Sequence, residues 1–250
     1  MKTDWNYTDL ADAYMKRADY STDVISAILR IAGVKKGDRV CDIGAGTGHL
    51  TKLLLKEGLG VVAVEPNDAM RANGIKVTER FPGCVWVEGL SERTNQEDGA
   101  FSLVTFGSSF SVADRALALK ETYRILKSGG WFACMWNHRR LDDCVQAEIE
   151  DIIKTFIPAY DYGTRREEQD GVIRQSGLFD NIIKLEGDIL HRQTVEDCVT
   201  AWKSHATLER QAGSGFSDII NSIEKYLNGL GVNEIDVPYK TVAWVARAKK

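Results

Sequence analysis

Three glycines at alternating positions, Gly44, Gly46 and Gly48, follow the apolar run Val40-Cys41-Asp42-Ile43 with its embedded acid, and they precede His49-Leu50-Thr51. Glycine takes φ > 0 without a steric penalty, and its bare backbone lets a ligand come into contact. A helix opening at Thr47 to Thr51 would point free N–H groups into the same space, where an anionic group is stabilised. That chemistry is nucleotide binding. A phosphate-cradling loop needs a Lys-Ser or Lys-Thr pair after its last glycine, and His49-Leu50 rules it out. A dinucleotide fingerprint needs its third glycine where His49 stands. Further on, Gly60-Val61-Val62-Ala63-Val64-Glu65 is a second apolar run ending in an acid, at the ~20-residue spacing that a ribose-binding carboxylate requires. Glu65 can accept from both ribose hydroxyls and would repel a 2′-phosphate.

Other chemistry-bearing residues lie later in the chain. Trp136-Asn137-His138-Arg139-Arg140 follows an apolar run and should emerge at the end of a strand, where open α/β sheets bind ligands. Trp202 and His205 are three apart, so a helix puts them on one face as an aromatic wall and a titratable group. His138 and His205 are therefore the candidate catalytic bases, and Asn137, Arg139 and Trp202 the candidate substrate contacts. A capping or surface histidine is the plain structural alternative for His205. Arg139, Arg140, Arg165 and Arg166 suggest an anionic acceptor such as a carboxylate, against the reading of solvated loop charge. The four histidines show no ligand spacing on one helix face, so no metal is expected.

These residues must be held by regular elements. Short apolar runs alternate with helical patterns, which signals a parallel sheet of βαβ units. Strands are expected at 39–43, 60–65, 84–88, 101–107 and 130–136. Helices are expected at about 5–17, 21–32, 47–57, 68–76 and 114–127, the last closed by a glycine C-cap in Lys127-Ser128-Gly129-Gly130. After Asn137 the alternation breaks. Two helices are expected in 142–176, a strand at 179–191, helices in 194–230 interrupted at Gly213 to Gly215, and a closing strand in Tyr239 to Lys249. We read one domain, with a ligand-binding half over 1–137 and lid helices plus the last two strands over 138–250.

The chain has 250 residues, 44% hydrophobic and 27% charged, enough for one α/β domain with a sizeable core. A net charge of −4 argues against nucleic acid as partner, although 32 Lys and Arg leave room for a local basic patch. No apolar run is long enough to span a membrane, and the polar N-terminus has no apolar core of a leader. Five cysteines without a C-x-x-C pair suit buried thiols in a reducing, cytoplasmic setting.

The loop and its surroundings resemble the class I S-adenosylmethionine-dependent methyltransferases of the small-molecule type. VCDIGAGTGHLT matches their first motif, and VVAVEPNDAM the second-strand motif. VEGLSERT matches the segment reading the adenine edge, AFSLVTFGSSF the fourth strand, and ALALKETYRILKSGGWFACMWN the helix and fifth strand. YTDLADAYMKRADY resembles the helix that closes over the methionine end. The resemblance covers about residues 5–137 and is loose beyond. It implies a doubly wound, mostly parallel seven-stranded sheet with the last strand antiparallel, and a helical lid built from N-terminal and C-terminal-half insertions. It also implies S-adenosyl-L-methionine as methyl donor, S-adenosyl-L-homocysteine as product, and a small-molecule acceptor methylated on O or N. Carried onto this chain, it gives a donor site of Tyr14, Arg17, Asp42, Gly44, Ala45, Gly46, Gly48, Glu65, Pro66, Met70, Gly89, Leu90, Ser91 and Phe106. Tyr20 joins the acceptor side. Asp42 would orient the ammonium group, Tyr14 and Arg17 would reach the methionine carboxylate, and Met70 would pack on the adenine. Two departures stand out. Ser102 replaces an aspartate, and Ser111-Val112 stands where many relatives carry a His-Trp pair. Phe106-Gly107-Ser108-Ser109 also lacks the signature of nucleobase-amine enzymes. A protein- or RNA-directed enzyme, or a donor-binding module without transfer, remain the alternatives. A monomer or homodimer is expected.

Overall fold

The computed structural model describes residues 7–250. The part of the expected first helix before Tyr7, and the first residues of the 1–137 half, lie outside the described residues. The valine-rich runs form β1 (Arg39–Ile43), β2 (Gly60–Val64), β3 (Cys84–Val87) and β4 (Phe101–Gly107), with β5 (Leu126–Arg139) following. β6 (Phe179–Thr194) and β7 (Glu234–Ala248) complete a seven-stranded sheet of order β3-β2-β1-β4-β5-β7-β6. β1 to β5 pair in parallel, and β7 runs antiparallel to both β5 and β6. The expected sheet is the observed one.

Alternate residues of each strand feed opposite cores, as the two-residue period requires. On β4 and β5, Phe106, Phe132 and Trp136 face one apolar cluster, while Leu103, Ala133 and Met135 face another. The second cluster is closed by α2 (Thr22–Ala32) and α3 (His49–Lys56), through Ile28 and Leu54. Helix starts carry side-chain caps: Ser21 for α2, Asn67 for α4 (Asp68–Thr78) and Asp114 for α5 (Arg115–Ile125), each accepting from a backbone N–H.

The lid has its own core. It comprises α6 (Cys144–Phe156), α8 (Val195–Lys203), α9 (Ala206–Ala212) and α10 (Phe216–Gly229), whereas α7 (Asp170–Gln175) packs into the sheet core through Ile173. Ile149, Ile153, Trp202, Ile219 and Ile223 pack with Val237 and Tyr239 of β7. The site-bearing ends of β6 and β7 run past β5, so the lid stands on a two-stranded ribbon.

Three sequence expectations change. The N-terminal helix is only a 3-10 turn (Thr8–Leu10) and one helical turn, α1 (Ala11–Tyr14). Gly129 is not a helix C-cap: α5 ends at Ile125, and Gly129 (φ 71) lies in β5, where pairing with β4 shifts register between Phe101 and Leu103. The 137/138 boundary falls inside β5, whose residues through Arg139 still pair with β7. No described helix is long and apolar enough to cross a membrane.

Candidate functional site

Sheet order reverses between β1 and β4, and a cavity of about 440 Å³ opens at the carboxyl ends of those strands. This is where doubly wound sheets bind ligands. One end is built from the glycine turn and the end of β2. Gly44 (φ 64) touches β4's continuation: a Cβ there would sit 2.4 Å from the Ser109 Cβ. Gly46 (φ 57) faces open space, with only Met70 Cε near at 3.8 Å from a Cβ placed there. Gly46 N–H donates to Glu65 Oε2 at 2.9 Å, and Asn67 N–H to Oε1 at 2.8 Å. Two backbone donors thus fix the carboxylate plane at the cavity wall, leaving each oxygen a second lone pair. Burial pushes Glu65 up to about 7 against those bonds.

Asp42 is wholly buried, raised to about 6 by desolvation, and its oxygens accept from the Thr51 and Thr105 hydroxyls. The expected ammonium contact therefore has to share an oxygen already bonded. Thr47 Oγ1, at the cavity wall, is buried without a partner. That orphan hydroxyl, the bare Gly46 backbone and the positioned Glu65 carboxylate form a polar cradle that fits an adenosyl-methionine ligand. Pro66, Met70, Leu90 and Ser91 line the adjoining wall, and Ala45 the loop side.

The N-terminal segment closes over this end. His49 is its tie: Nδ1 lies 2.8 Å from Asp19 Oδ1, and Nε2 3.0 Å from the Tyr14 carbonyl. Lys52 joins at 2.9 Å from Asp19, and these hydrogen bonds hold Asp19 down at about 2 despite desolvation. Asn137 donates to the carbonyls of Ala18 and Asp19 while its own oxygen accepts from Thr241. Tyr20 lines the cavity with its hydroxyl 3.0 Å from Ser108 Oγ. Ser108 holds φ 62, a strained backbone for a residue with a Cβ, at the end of β4.

The opposite end of the cavity lies under the lid and is cationic and aromatic. Tyr14, Arg17, Arg139, Arg165, His205 and Tyr239 line it. Arg17 stacks on Tyr14 at 3.7 Å and donates to the Ser204 hydroxyl and carbonyl.

Several expected site residues are placed elsewhere. Gly48 (φ 85) does not line the cavity: it caps α3 and lets the helix pack on Trp86, whose ring a Cβ would approach to 3.3 Å. Gly89 is packed against Val64 and the Thr94 carbonyl. Phe106 belongs to the ring cluster with Phe110 and Phe132 in the core. Trp202 stands one layer back, stacked on His205 at 5.3 Å. His138 also lies in a side cavity, where Nε2 meets the Arg165 carbonyl at 2.9 Å and burial lowers it to about 4. His205 reaches the cavity, but its Nδ1 accepts the Leu208 N–H as the cap of α9. Burial and the three arginines push its pKa well down. Such an imidazole stays neutral at neutral pH and resists taking a second ring proton. Arg140 and Arg166 point away, onto Asp142 and onto the Arg139 carbonyl.

Reading the sequence missed Tyr7 and Tyr239 as cavity residues, and gave His49 no task beyond excluding a glycine. Tyr239 is separated from every motif, and only the alternation of Val237, Tyr239 and Thr241 on β7 hints that it faces the lid side.

The family model described as "Methyltransferase domain" matches residues 41–134. An uncharacterised methyltransferase of Mycobacterium tuberculosis is 34% identical over 127 residues, 49% of this chain and 48% of that protein. The ubiquinone/menaquinone biosynthesis C-methyltransferase of Xanthomonas oryzae is 39% identical over 107 residues, 40% of this chain and 42% of its own. The chain spans about half the length of the curated relatives it matches. A solved candidate type II methyltransferase from Anaeromyxobacter dehalogenans aligns over 92% of this chain and 97% of its own, with TM-score 0.66 and 17% identity, a likeness of fold. Residues 41–134 are thus similar to a methyltransferase domain, and the sheet around them has the fold of a solved methyltransferase. The matched segment runs from β1 into β5 and includes the glycine turn and Glu65.

Proposed function

We propose that this protein transfers a methyl group from S-adenosylmethionine to an O or N atom of a small molecule, with S-adenosylhomocysteine as product. One observation carries the reading: a single continuous cavity joins the Glu65 and glycine-turn cradle to a chamber under the lid. S-adenosylmethionine supplies a methyl group already activated on a sulfonium sulfur. The chain's residues have the remaining work of alignment and water exclusion. Glu65 would accept the ribose hydroxyls, and Met70 and Leu90 would flank the adenine. Tyr14 and Arg17 would face the methionine carboxylate, held in place by His49, Asp19 and Ser204. The lid core would keep the chamber closed to bulk water. Support for a small acceptor comes from the lid helices over that chamber, since a protein or nucleic acid strand would need an open trough.

Incubation with methyl-labelled S-adenosylmethionine and a cell extract split by filtration tests this directly. Label in the low-molecular-mass fraction is expected. Label confined to retained protein or RNA would overturn the small-molecule reading. No transfer at all, with S-adenosylhomocysteine binding intact, would mark a donor-binding module.

A further inference from the structure

Three arginines converge at the lid end of the cavity, with no carboxylate paired to them among the described residues. Several arginines elsewhere are paired: Arg71 with Asp68, Arg115 with Glu167, Arg124 with Glu121, Arg192 with Asp236. Among the described residues, Arg17, Arg139 and Arg165 have no acidic partner. Arg17 commits two donors to Ser204. Arg139 lies flat on the Trp202 ring at 3.8 Å, with Tyr239 at 5.4 Å, and its Nε is buried with no partner. Arg165 sits deep beside it, its Nη1 3.5 Å from His205 Nε2. Burial, then the charges of Arg17 and Arg139, lower the affinity of Arg165 for its own proton. Cations gathered in a cavity this way are costly unless an anion joins them. Stacking on Trp202 fixes the Arg139 fork in advance, and a guanidinium fork matches a carboxylate with two parallel bonds.

The second observation is the lack of a base. His205 is capped into α9 and surrounded by the arginines, and His138 is outside the chamber. Tyr7 and Tyr20 are pushed upward by burial and hold their protons. Asp42 and Glu65 belong to the opposite end of the cavity, and the lining carboxylates Glu92 and Asp114 are committed at the start of α5, where Glu92 accepts the Asp114 N–H and Asp114 the Leu117 N–H. Among the described residues, an alcohol or protonated amine at the lid end would find no uncommitted group to take its proton, whereas a carboxylate has none to lose.

We propose that the acceptor is a carboxylic acid, bound as its anion by Arg139 and Arg165, and that one of its oxygens receives the methyl group. The inference rests on the methyl-transfer reading above. In the step, a carboxylate oxygen forms the new C–O bond as the S–CH3 bond breaks. The bonding pair passes to sulfur, so a sulfonium and a carboxylate become a thioether and a methyl ester. No proton moves and no further reactant enters.

The test uses the full chain, methyl-labelled S-adenosylmethionine and the low-molecular-mass fraction of a cell extract in three arms. One arm is untreated, one has its carboxyl groups converted to neutral amides with a carbodiimide and methylamine, and one is treated with phosphatase. The expected label is released as methanol by mild alkali, disappears in the amide arm and survives phosphatase. Alkali-stable label, label that persists after amidation, or label lost with phosphatase would each overturn the proposal, the last in favour of a phosphorylated acceptor. Arg165→Gln and Arg139→Gln are each expected to raise the KM for the extract acceptor about 10- to 100-fold, the loss of charge-assisted bonds. The affinity for S-adenosylhomocysteine should stay within about twofold, which also shows that either variant is folded. Equal weakening of both would assign the arginines to the donor instead. Failure of the wild type to bind S-adenosylhomocysteine would bring down the methyl-transfer reading itself.

Discussion

Glu65 anchors the proposed donor site at the scale of single residues, and its environment makes that site pH-sensitive. Burial raises its pKa from 4.5 to about 7 against the two backbone N–H bonds that favour the anion. In folding, the native state keeps a proton that the unfolded chain has already lost, so stability falls as pH rises from 4.5 to about 7. The Tm of Glu65→Gln relative to wild type should therefore rise from pH 4 to pH 8, although its amide nitrogen meets one of the two backbone N–H donors. Binding runs the other way. The ionised carboxylate is the better acceptor for ribose hydroxyls, so affinity for S-adenosylhomocysteine should increase through pH 7 and flatten in Glu65→Gln. A pH-independent wild-type affinity would contradict that role. Glu65 and the glycine turn were legible in the sequence because backbone freedom and an acid at a fixed spacing leave a local trace. The tasks of Gly48 and Gly89 were not, since packing against Trp86 or Val64 depends on partners remote in sequence.

At the scale of elements, the N-terminal segment is a strap rather than a helix. Its single helical turn cannot be stable alone, and it is held by Asp19, His49 and Lys52 together with Asn137. His49→Ala removes both ties of that ring and should speed hydrogen exchange in residues 7–20 while leaving the sheet unchanged. Unchanged exchange there would show that other contacts hold the segment. Asp19 has its pKa lowered from 3.8 to about 2. Its contribution is complete above 3.8 and is lost as pH falls through about 2, so the strap should loosen only in strong acid. The sheet strands were legible from their valine-rich runs: the first four fell near their expected bounds, while β5 begins four residues earlier and ends three later than expected. The short α1 was not legible, because YTDLADAYMK has a helical pattern and only tertiary bonds decide where the segment turns. Gly129 misled for a similar reason: a positive φ suits a C-cap and a strand irregularity equally.

For the whole molecule, two layers with separate cores meet at the cavity. The lid core shares Val237 and Tyr239 with the sheet, which couples lid and sheet into one folding unit. Ile223→Ala deletes a fully buried side chain from the lid core and should cost roughly 2–4 kcal/mol, seen as one cooperative transition at lower temperature. A separate early transition would show a lid that unfolds by itself. Seven strands with the last antiparallel followed from alternation and resemblance; Arg139 and Arg165 stood out as charges, but their meeting with Arg17 in one chamber did not. That chamber is assembled from the ends of β5, a 3-10 turn at 163–166, the strap and β7, which no local spacing relates.

The most direct test of the donor assignment is calorimetric titration of S-adenosylhomocysteine into wild type, Glu65→Ala and Gly46→Arg. One-to-one binding by wild type is expected. Glu65→Ala should weaken it by ~1–3 kcal/mol, or roughly 5- to 150-fold, and Gly46→Arg, which fills the cradle, should abolish it. No binding by wild type, or binding that neither substitution alters, would contradict the assignment of this cavity to the methyl donor.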